Sequence, residues 1–522
     1  MDLKRKIGQM IVAGFEGTSV TEEIRALITK YHVGNIILFD RNCKTPKQVF
    51  NLVKDLQSLA MESNGAPLFV TIDQENGMVA RLYQGVTHFP GNMAQGAVNN
   101  AEDTYNIGKF TGEGLGALGI NFNLAPSLDV NNNPKNPVIG VRSFGDDPSM
   151  VGELGAKCIN GMQDAGIIAT AKHFPGHGDT VVDSHIGLAA VPHDKERLNK
   201  VELYPFKKAI EAGVKAIMTA HIIFPAFESR ELPATLSYNV LTKLLREELG
   251  FKGLIITDCM EMKAIDNHFK TEEGVPMAIK AGADLICISH TFEKQVKSIE
   301  KILEKIEMGE LTEDIIDNRV ERILEEKSKL KLTDGLSKEF NDIEKLMDKA
   351  EHISLAEKVS QESITVIKNQ GIIPLKAKKI LVIASKTRVI TGAEGFREEI
   401  SFGRVLKDAL VNSDVNYKEI DINLSKVQAE EIAKESKNYE AAVICTINGT
   451  TFSSQIDLVK EVLKENEDVL LIPMRNPYDY LELRDVKGCI LPYEYTKNSM
   501  KSLIKVLKGE VTPVGKSPVR LS

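Results

Sequence analysis

The chain has 522 residues, more than one hydrophobic core of ordinary size can organise, so we expect two or three domains. Its hydrophobic fraction of 43% and charged fraction of 26% are typical of globular proteins. The formal net charge of −8 disfavours nucleic acid or an anionic membrane as the main partner. No apolar run approaches the roughly 20 residues that a membrane span needs.

The amino-terminal residues combine a basic start with an apolar run at 7–15, which glycines and a glutamine interrupt. We interpret this run as the first strand of the fold rather than as a signal peptide. A cytoplasmic protein is therefore predicted, or a secreted one if a signal peptide has been removed. The six cysteines are scattered without a CxxC pair, which favours reduced thiols packed as small hydrophobic residues.

The first 330 residues repeat one rhythm, in which a short apolar run is followed by an amphipathic helical pattern. The apolar runs are 8–17, 33–40, 68–74, 120–129, 167–174, 214–221, 253–258 and 283–290. Eight apolar strands alternating with helices predict a (β/α)8 TIM barrel. A doubly wound open sheet is the alternative, but it favours a glycine-rich turn after the first strand, which residues 14–17 match poorly.

Local signals refine this pattern. Thr45-Pro46 and Asp147-Pro148 predict helix starts, because each places a capping side chain before a proline at the first helical position. The apolar spacing over 198–210 indicates a helix. The glycine-rich stretch 112–119 precedes a strand, the wrong order for a phosphate-binding loop, so we interpret its glycines as packing positions or a helix end.

The rest of the chain predicts a second, smaller domain. Residues 331–352 are polar and read as a linker with helical character. Six short strands follow, at 363–368, 379–384, 415–422, 441–447, 469–473 and 489–492. With helices between several of them, such as 453–464 and 499–507, they predict an α/β sandwich domain over 353–522. The predicted fold class is therefore α/β: an N-terminal barrel at 1–330 followed by this sandwich.

Ionisable residues end six of the eight predicted barrel strands, which packing alone explains poorly because buried charges are costly unless paired or used. These strand ends are Asp73, Asp129, Lys172-His173, His221, Asp258 and His290. Catalytic groups project from this end of such barrels. So many hydrogen-bonding groups with few aromatic residues suit a small, hydroxylated ligand.

Two of these regions supply the groups for displacement at an anomeric carbon. Asp258 ends an apolar strand and can act as a nucleophile if neighbouring cations keep it ionised. A second group must protonate the leaving oxygen, and the segment Asp183-Ser184-His185 offers one. His185 would serve as acid and then base, with Asp183 orienting its ring and raising its pKa.

Spaced motifs that occur in order carry a family resemblance. The stretches KHFPGHGDT…DSH, IDQE…R, NNNP…VIGVRSFG and ITD…M resemble those of the β-N-acetylglucosaminidases of glycoside hydrolase family 3. The resemblance implies a retaining β-N-acetylhexosaminidase in which Asp258 is the nucleophile and His185, with Asp183, is the acid/base. It further implies a set of residues that hold the N-acetylglucosamine ring: Asp73, Arg81, Arg142, Lys172 and His173. Asn76 and Cys259 depart from the family's usual glycine and small residue at those positions.

Plainer structural roles compete at several positions. Asp258 alone could cap a helix, and Arg142 could pair with Asp146 or Asp147. Lys172 and His173 could form a salt-bridged barrel end, although the lysine has no obvious local partner in the sequence. His177 and Asp179 could shape the loop, and His221 and His290 could support the wall. Asp129 is equally suited to organising the asparagine loop and to contacting sugar.

Three other functions remain open alongside exo-hydrolysis. The same site could perform phosphorolysis, releasing N-acetylglucosamine 1-phosphate. A metal-dependent hydrolase would use His173, His177, His221 and Asp258 as ligands. A catalytically silent sugar-binding protein is disfavoured by the intact Asp183, His185 and Asp258. For the favoured chemistry we expect neither cofactor nor metal, and an amino-sugar oligosaccharide from peptidoglycan or chitin as the small-molecule partner, with the oligomeric state left open.

Overall fold

A computed structural model describes residues 1–180, 187–395 and 400–521. Among the described residues before 330, the amino-terminal part has ten strands. In chain order they are β1 (Ile11–Ala13), β2 (Asn35–Leu38), β3 (Phe69–Ile72), β4 (Phe122–Asn123), β5 (Ile168–Phe174), β6 (Ala189–Ala190), β7 (Ala216–Thr219), β8 (Ile222–Ile223), β9 (Leu254–Thr257) and β10 (Ile286–Ile288).

Eight of these described strands form one parallel sheet in the order β10-β1-β2-β3-β4-β5-β7-β9, while β6 pairs with β8. The sheet nearly closes between β9 and β10, where Ile256 bridges Leu285 and the Thr257 N–H donates to the Leu285 carbonyl at 2.9 Å. Each predicted apolar run contains one barrel strand. The prediction of a TIM barrel is confirmed, with its carboxyl strand ends at one rim.

The helices of this part flank the barrel strands along the chain. They are α1 (Leu3–Met10), α2 (Glu22–Thr29), α3 (Pro46–Asn64), α4 (Asn92–Val98), α5 (Ala101–Ala117), α6 (Pro148–Asp164), α7 (Lys195–Lys200), α8 (Tyr204–Glu211), α9 (Lys263–Phe269), α10 (Thr271–Ala281), α11 (Phe292–Glu307) and α12 (Glu313–Lys329). A π-type helix spans Asn239–Glu248. Across the described ranges, no helix is both long and apolar enough to traverse a membrane.

Helix starts follow the capping signals of the sequence. The Thr45 hydroxyl accepts from the Gln48 N–H at the start of α3, and the Asp147 carboxylate accepts from the N–H groups of Ser149 and Met150 at the start of α6. These contacts satisfy N–H groups that a helix leaves without partners. Both predicted starts are confirmed.

Two local predictions are wrong. The apolar run at 7–15 is a strand only from Ile11, because the Asp2 carboxylate caps α1 by accepting from the Arg5 N–H. The run therefore begins on a helix whose last residues are buried. The helical spacing over 198–210 covers two helices, α7 and α8, because the chain turns at residues 201–203.

A second α/β unit follows a helical connection made by α13 (Phe340–Ile343) and α14 (Ala350–Ser363). Its strands are β11 (Thr365–Asn369), β12 (Lys379–Ser385), β13 (Asp414–Ile420), β14 (Ala441–Thr446), β15 (Val469–Pro473) and β16 (Gly488–Leu491). Its helices are α15 (Phe402–Ala409), α16 (Lys426–Ser436), α17 (Ser454–Glu465) and α18 (Lys497–Lys508). The described strands run in the order β11-β16-β15-β14-β12-β13, with β11 antiparallel to β16.

The second unit packs on the barrel loops that follow β3 and β4. The Gly91 N–H donates to the Glu494 carboxylate at 2.8 Å, and the Asn131 amide donates to the Tyr478 hydroxyl at 2.7 Å. The Lys516 N–H donates to the Ala97 carbonyl at 3.0 Å. These contacts place the second unit beside the rim that carries the predicted site residues.

Glycines let helices α5 and α6 approach closely. A Cβ added at Gly108 would lie 2.3 Å from the Cys158 carbonyl oxygen, whereas one added at Gly114 of the same helix would meet no atom within 4 Å. Gly112 faces α6 in the same way, with Ala165 at 2.7 Å from such a Cβ. The prediction that the glycines of 112–119 serve packing holds for Gly112.

We predict opposite effects for alanine at the two glycines. Gly108→Ala should lower the free energy of unfolding by about 1–3 kcal/mol, because the two helices must separate to admit the methyl group. Gly114→Ala should raise it by up to about 1 kcal/mol, since alanine favours a helix. Urea denaturation followed by circular dichroism measures both. Equal effects of the two substitutions would contradict this account of the interface.

Candidate active site

A cavity of about 320 Å³ lies at the carboxyl end of the barrel strands. Its lining includes six of the predicted site residues: Asp73, Arg81, Arg142, Lys172, His173 and Asp258. The structure thus brings together residues that are up to 185 positions apart in the sequence. The other two predicted residues, Asp183 and His185, fall in 181–186, outside the described residues, and their roles stay predictions.

A buried chain of alternating charges forms the floor of the cavity. The Glu75 carboxylate, 3% exposed, accepts from the Arg142 guanidinium at 2.9 and 2.7 Å and lies 2.7 Å from Lys172 Nζ. Lys172 Nζ also donates to Asp73 at 2.8 Å. Lys172 therefore has two partners that its sequence neighbourhood did not reveal, and Arg142 pairs with Glu75 rather than with Asp146 or Asp147.

Opposite charges keep this buried network ionised. Burial by itself would raise the pKa of Glu75, but Arg142 and Lys172 outweigh it and hold that pKa well below the ordinary value. Burial would likewise lower the pKa of Lys172, but Asp73 and Glu75 raise it overall. Both cations are thus fixed in their charged forms and their donors are aimed by Glu75.

His173 is held by contacts at both of its ring nitrogens. Its Nδ1 lies 2.7 Å from the buried carboxylate of Asp129, and its Nε2 lies 3.4 Å from an Arg142 nitrogen. Since arginine is only a donor, Nε2 accepts, and the ring proton resides on Nδ1 and is donated to Asp129. Asp129 also accepts from the His177 N–H at 2.6 Å. Asp129 therefore orients the His173 ring and the turn that follows it.

Asp258 follows β9 directly and its carboxylate lies in the cavity wall. One of its oxygens accepts from the Cys259 N–H at 2.7 Å. The next residue is held in turn by His221, whose Nε2 donates to the Cys259 carbonyl at 2.9 Å and whose Nδ1 accepts from Thr235 at 2.8 Å. Burial raises the pKa of Cys259 to about 12, so its thiol is a poor nucleophile beside the carboxylate.

The second unit supplies one wall of the cavity, a contribution that the sequence analysis did not predict. Gly392, Ala393 and Glu394 line it, in the loop that follows β12. Arg81 Nη2 donates to the Ala393 carbonyl at 2.9 Å, while Arg81 Nη1 lies 3.4 Å from Asp40. Glu394 forms a buried ion pair with Arg475. The only signal was a glycine-flanked acidic residue, Gly392–Gly395, after a predicted strand.

The proposed metal ligands of the competing hydrolase hypothesis do not form a site. Both ring nitrogens of His173 and of His221 contact protein groups, and His177 Nδ1 lies 3.0 Å from the Thr180 hydroxyl. Burial lowers the pKa of His177 to about 4, so this ring stays neutral. These rings orient the floor and wall of the cavity, the structural role that the sequence favoured for His177 and His221.

Comparison with known proteins identifies the family. Residues 2–325 match the N-terminal domain of glycosyl hydrolase family 3. The chain belongs to glycosyl hydrolase family 3. This confirms the family resemblance of the motifs and the prediction of a glycoside hydrolase.

Individual relatives are similar to this family 3 chain over different lengths. Beta-hexosaminidase A of Pseudoalteromonas piscicida is 36% identical over 381 residues, which are 69% of this chain but 63% of that protein. A Beta-hexosaminidase of Nitrosomonas eutropha is 33% identical over 52% of this chain and 78% of its own length. The solved structure of a family 3 β-N-acetylglucosaminidase from Paenibacillus sp. str. FPU-7 is 41% identical with a TM-score of 0.94, covering 100% of this chain and 99% of that one. This agreement extends over both units of the fold.

We predict that removing the charge of Glu75 destabilises the protein in a pH-dependent way. Glu75→Gln leaves Arg142 and Lys172 without their shared carboxylate and should lower the free energy of unfolding at pH 7 by about 3–5 kcal/mol. The folded-state pKa of Glu75 lies below its ordinary value of 4.5, so its contribution is complete above that pH and is lost as the pH falls through the folded pKa.

The difference between wild type and Glu75→Gln should therefore shrink on acidification from pH 5 to pH 3. Urea denaturation at several pH values measures it. Glu196→Gln is the control, because Glu196 forms a solvent-exposed pair with Lys200 and should leave the midpoint unchanged. If the difference in free energy of unfolding between wild type and Glu75→Gln stayed constant down to pH 3, Arg142 and Lys172 would not be lowering the pKa of Glu75 in the folded protein.

Proposed function

We propose that this chain is a retaining exo-β-N-acetylglucosaminidase that removes terminal β-linked N-acetylglucosamine through a covalent glycosyl-aspartate intermediate. The observation that carries the proposal is the placement of Asp258 in the wall of the same cavity as Asp73, Arg81, Arg142, Lys172 and His173. Family membership and relatives named for action on amino sugars support it.

The cavity suits a single sugar ring as its tightly held ligand. Its volume of about 320 Å³ is at the lower end of ligand sites. The Lys172 ammonium and the Arg142 guanidinium can donate to hydroxyls, while the Asp73 carboxylate can accept. The loop at Gly392–Gly395 closes one side, which favours cleavage from a chain end over binding within a long polymer.

In the proposed mechanism Asp258 attacks the anomeric carbon and displaces the leaving oxygen, which His185 protonates. The sugar is then attached to an Asp258 oxygen, and water deprotonated by His185 releases it with retained configuration. Asp183 would orient the His185 ring. When two carboxylates perform such a reaction they lie about 5–5.5 Å apart, a distance that need not apply to a histidine acid/base.

We predict that Asp258→Ala lowers kcat for an aryl N-acetylglucosaminide by at least about 10³-fold, because no neighbouring group replaces the nucleophile. Cys259→Ala is the matched control: it changes the next residue, lines the same cavity and should keep most of the activity. A fluorinated N-acetylglucosamine analogue that forms a slowly hydrolysed intermediate should label the peptide that contains Asp258, as read by mass spectrometry. Near-normal turnover by Asp258→Ala would refute the nucleophile.

We propose peptidoglycan fragments in which N-acetylglucosamine is linked to N-acetylmuramic acid, or chitooligosaccharides, as natural substrates. Product analysis on both, with and without phosphate, distinguishes hydrolysis from phosphorolysis. Free N-acetylglucosamine in both buffers is the expected product. Release of N-acetylglucosamine 1-phosphate in phosphate buffer would replace hydrolysis by the alternative, a β-N-acetylglucosaminide phosphorylase. Relative kcat/KM values on the two substrates decide between peptidoglycan and chitin.

A further inference from the structure

Three side chains outside the cavity converge at the base of the segment that carries Asp183 and His185. Asp179 precedes residues 181–186, His193 follows them, and Glu202 lies between α7 and α8. One ligand atom from each of the three lies within 4.8 Å of the others. His193 Nε2 and the Asp179 carboxylate are 2.6 Å apart.

Glu202 is the member of this group that lacks a full set of partners. Its side chain is 2% exposed. One carboxylate oxygen accepts from the Asn132 amide at 3.1 Å, while the other, Oε2, has no hydrogen-bond donor among the described residues. Buried carboxylate oxygens are normally satisfied, so this one points to an additional ligand.

The charges of the group also leave room for a cation. Arg197 lies beside both carboxylates, with its Nη2 3.8 Å from Asp179 and 3.4 Å from Glu202. Two carboxylates therefore face this one guanidinium. A neutral imidazole nitrogen with two carboxylate oxygens is a ligand set that suits Zn²⁺, whereas Mg²⁺ and Ca²⁺ prefer oxygen ligands throughout.

We propose that Asp179, His193 and Glu202 form a Zn²⁺ site with three protein ligands, in which water takes the fourth position. The ion would connect Asp179, which precedes residues 181–186, with His193, which follows them, and would fix the distance between these two residues. A benefit of this ion for turnover rests on the proposed function, in which Asp183 and His185 move protons. The presence of the metal site does not depend on that function. The site is separate from the cavity, since none of the three residues lines it.

The test is metal binding by the full chain without substrate. Protein stripped with a chelator is titrated with ZnCl₂ by isothermal calorimetry, and wild type should bind one ion per chain at this site. His193→Gln should weaken binding by at least about tenfold. This variant should fold, because the His193 side chain is 34% exposed. Glu202→Gln should weaken binding as well, whereas Glu228→Gln, at a buried carboxylate paired with Arg230, should bind like wild type.

Substitution by Co²⁺ identifies the ligands. The visible spectrum should show d–d bands without the thiolate-to-cobalt charge-transfer band, and His193→Gln should abolish those bands. The proposal is overturned if stripped wild type takes up no Zn²⁺, if His193→Gln binds it as tightly as wild type, or if thiolate bands appear. The metal-binding experiments involve no turnover, so their outcome can be interpreted whatever the activity of Asp258→Ala proves to be.

Discussion

The carboxylate of Glu75 is the interaction on which the site depends. It lies between Arg142 and Lys172 in a place that water does not reach, so all three charges persist only together. Lys172 extends the chain of charges to Asp73, and Arg142 extends it to His173 and from there to Asp129. Donors and acceptors at the floor of the cavity are thereby fixed before any ligand binds. This lowers the entropic cost of binding, because these side chains need not be ordered by the ligand.

Much of the fold follows from local patterns in the sequence. Apolar runs marked all eight barrel strands because strands of a parallel sheet are buried on both faces, and proline after a capping residue marked the starts of α3 and α6. The same patterns gave wrong predictions at two places, where a local feature changes the secondary structure. Asp2 turns the start of an apolar run into a helix, and a turn at 201–203 divides an apparently continuous helical spacing.

Several residues that line the site could be predicted from the sequence, but the ion pairs that they form could not. Strand-end positions bring ionisable residues to one rim in any such barrel, so Asp73, Lys172 and Asp258 could be selected from the sequence. The choice of Glu75 as partner for both Arg142 and Lys172 depends on loop conformations over separations of 67 and 97 residues. The wall from the second unit was missed for the same reason, since 312 residues separate Arg81 from Ala393.

The contact between Arg81 and the second unit has a consequence for how such sites are recognised. Arg81 donates to the carbonyl of Ala393, a main-chain group that every amino acid carries. The contact itself therefore does not depend on which side chain stands at position 393, provided that the loop keeps its path. A survey of related sequences that looks for invariant side chains would pass over this position, and would assign the whole cavity to the barrel.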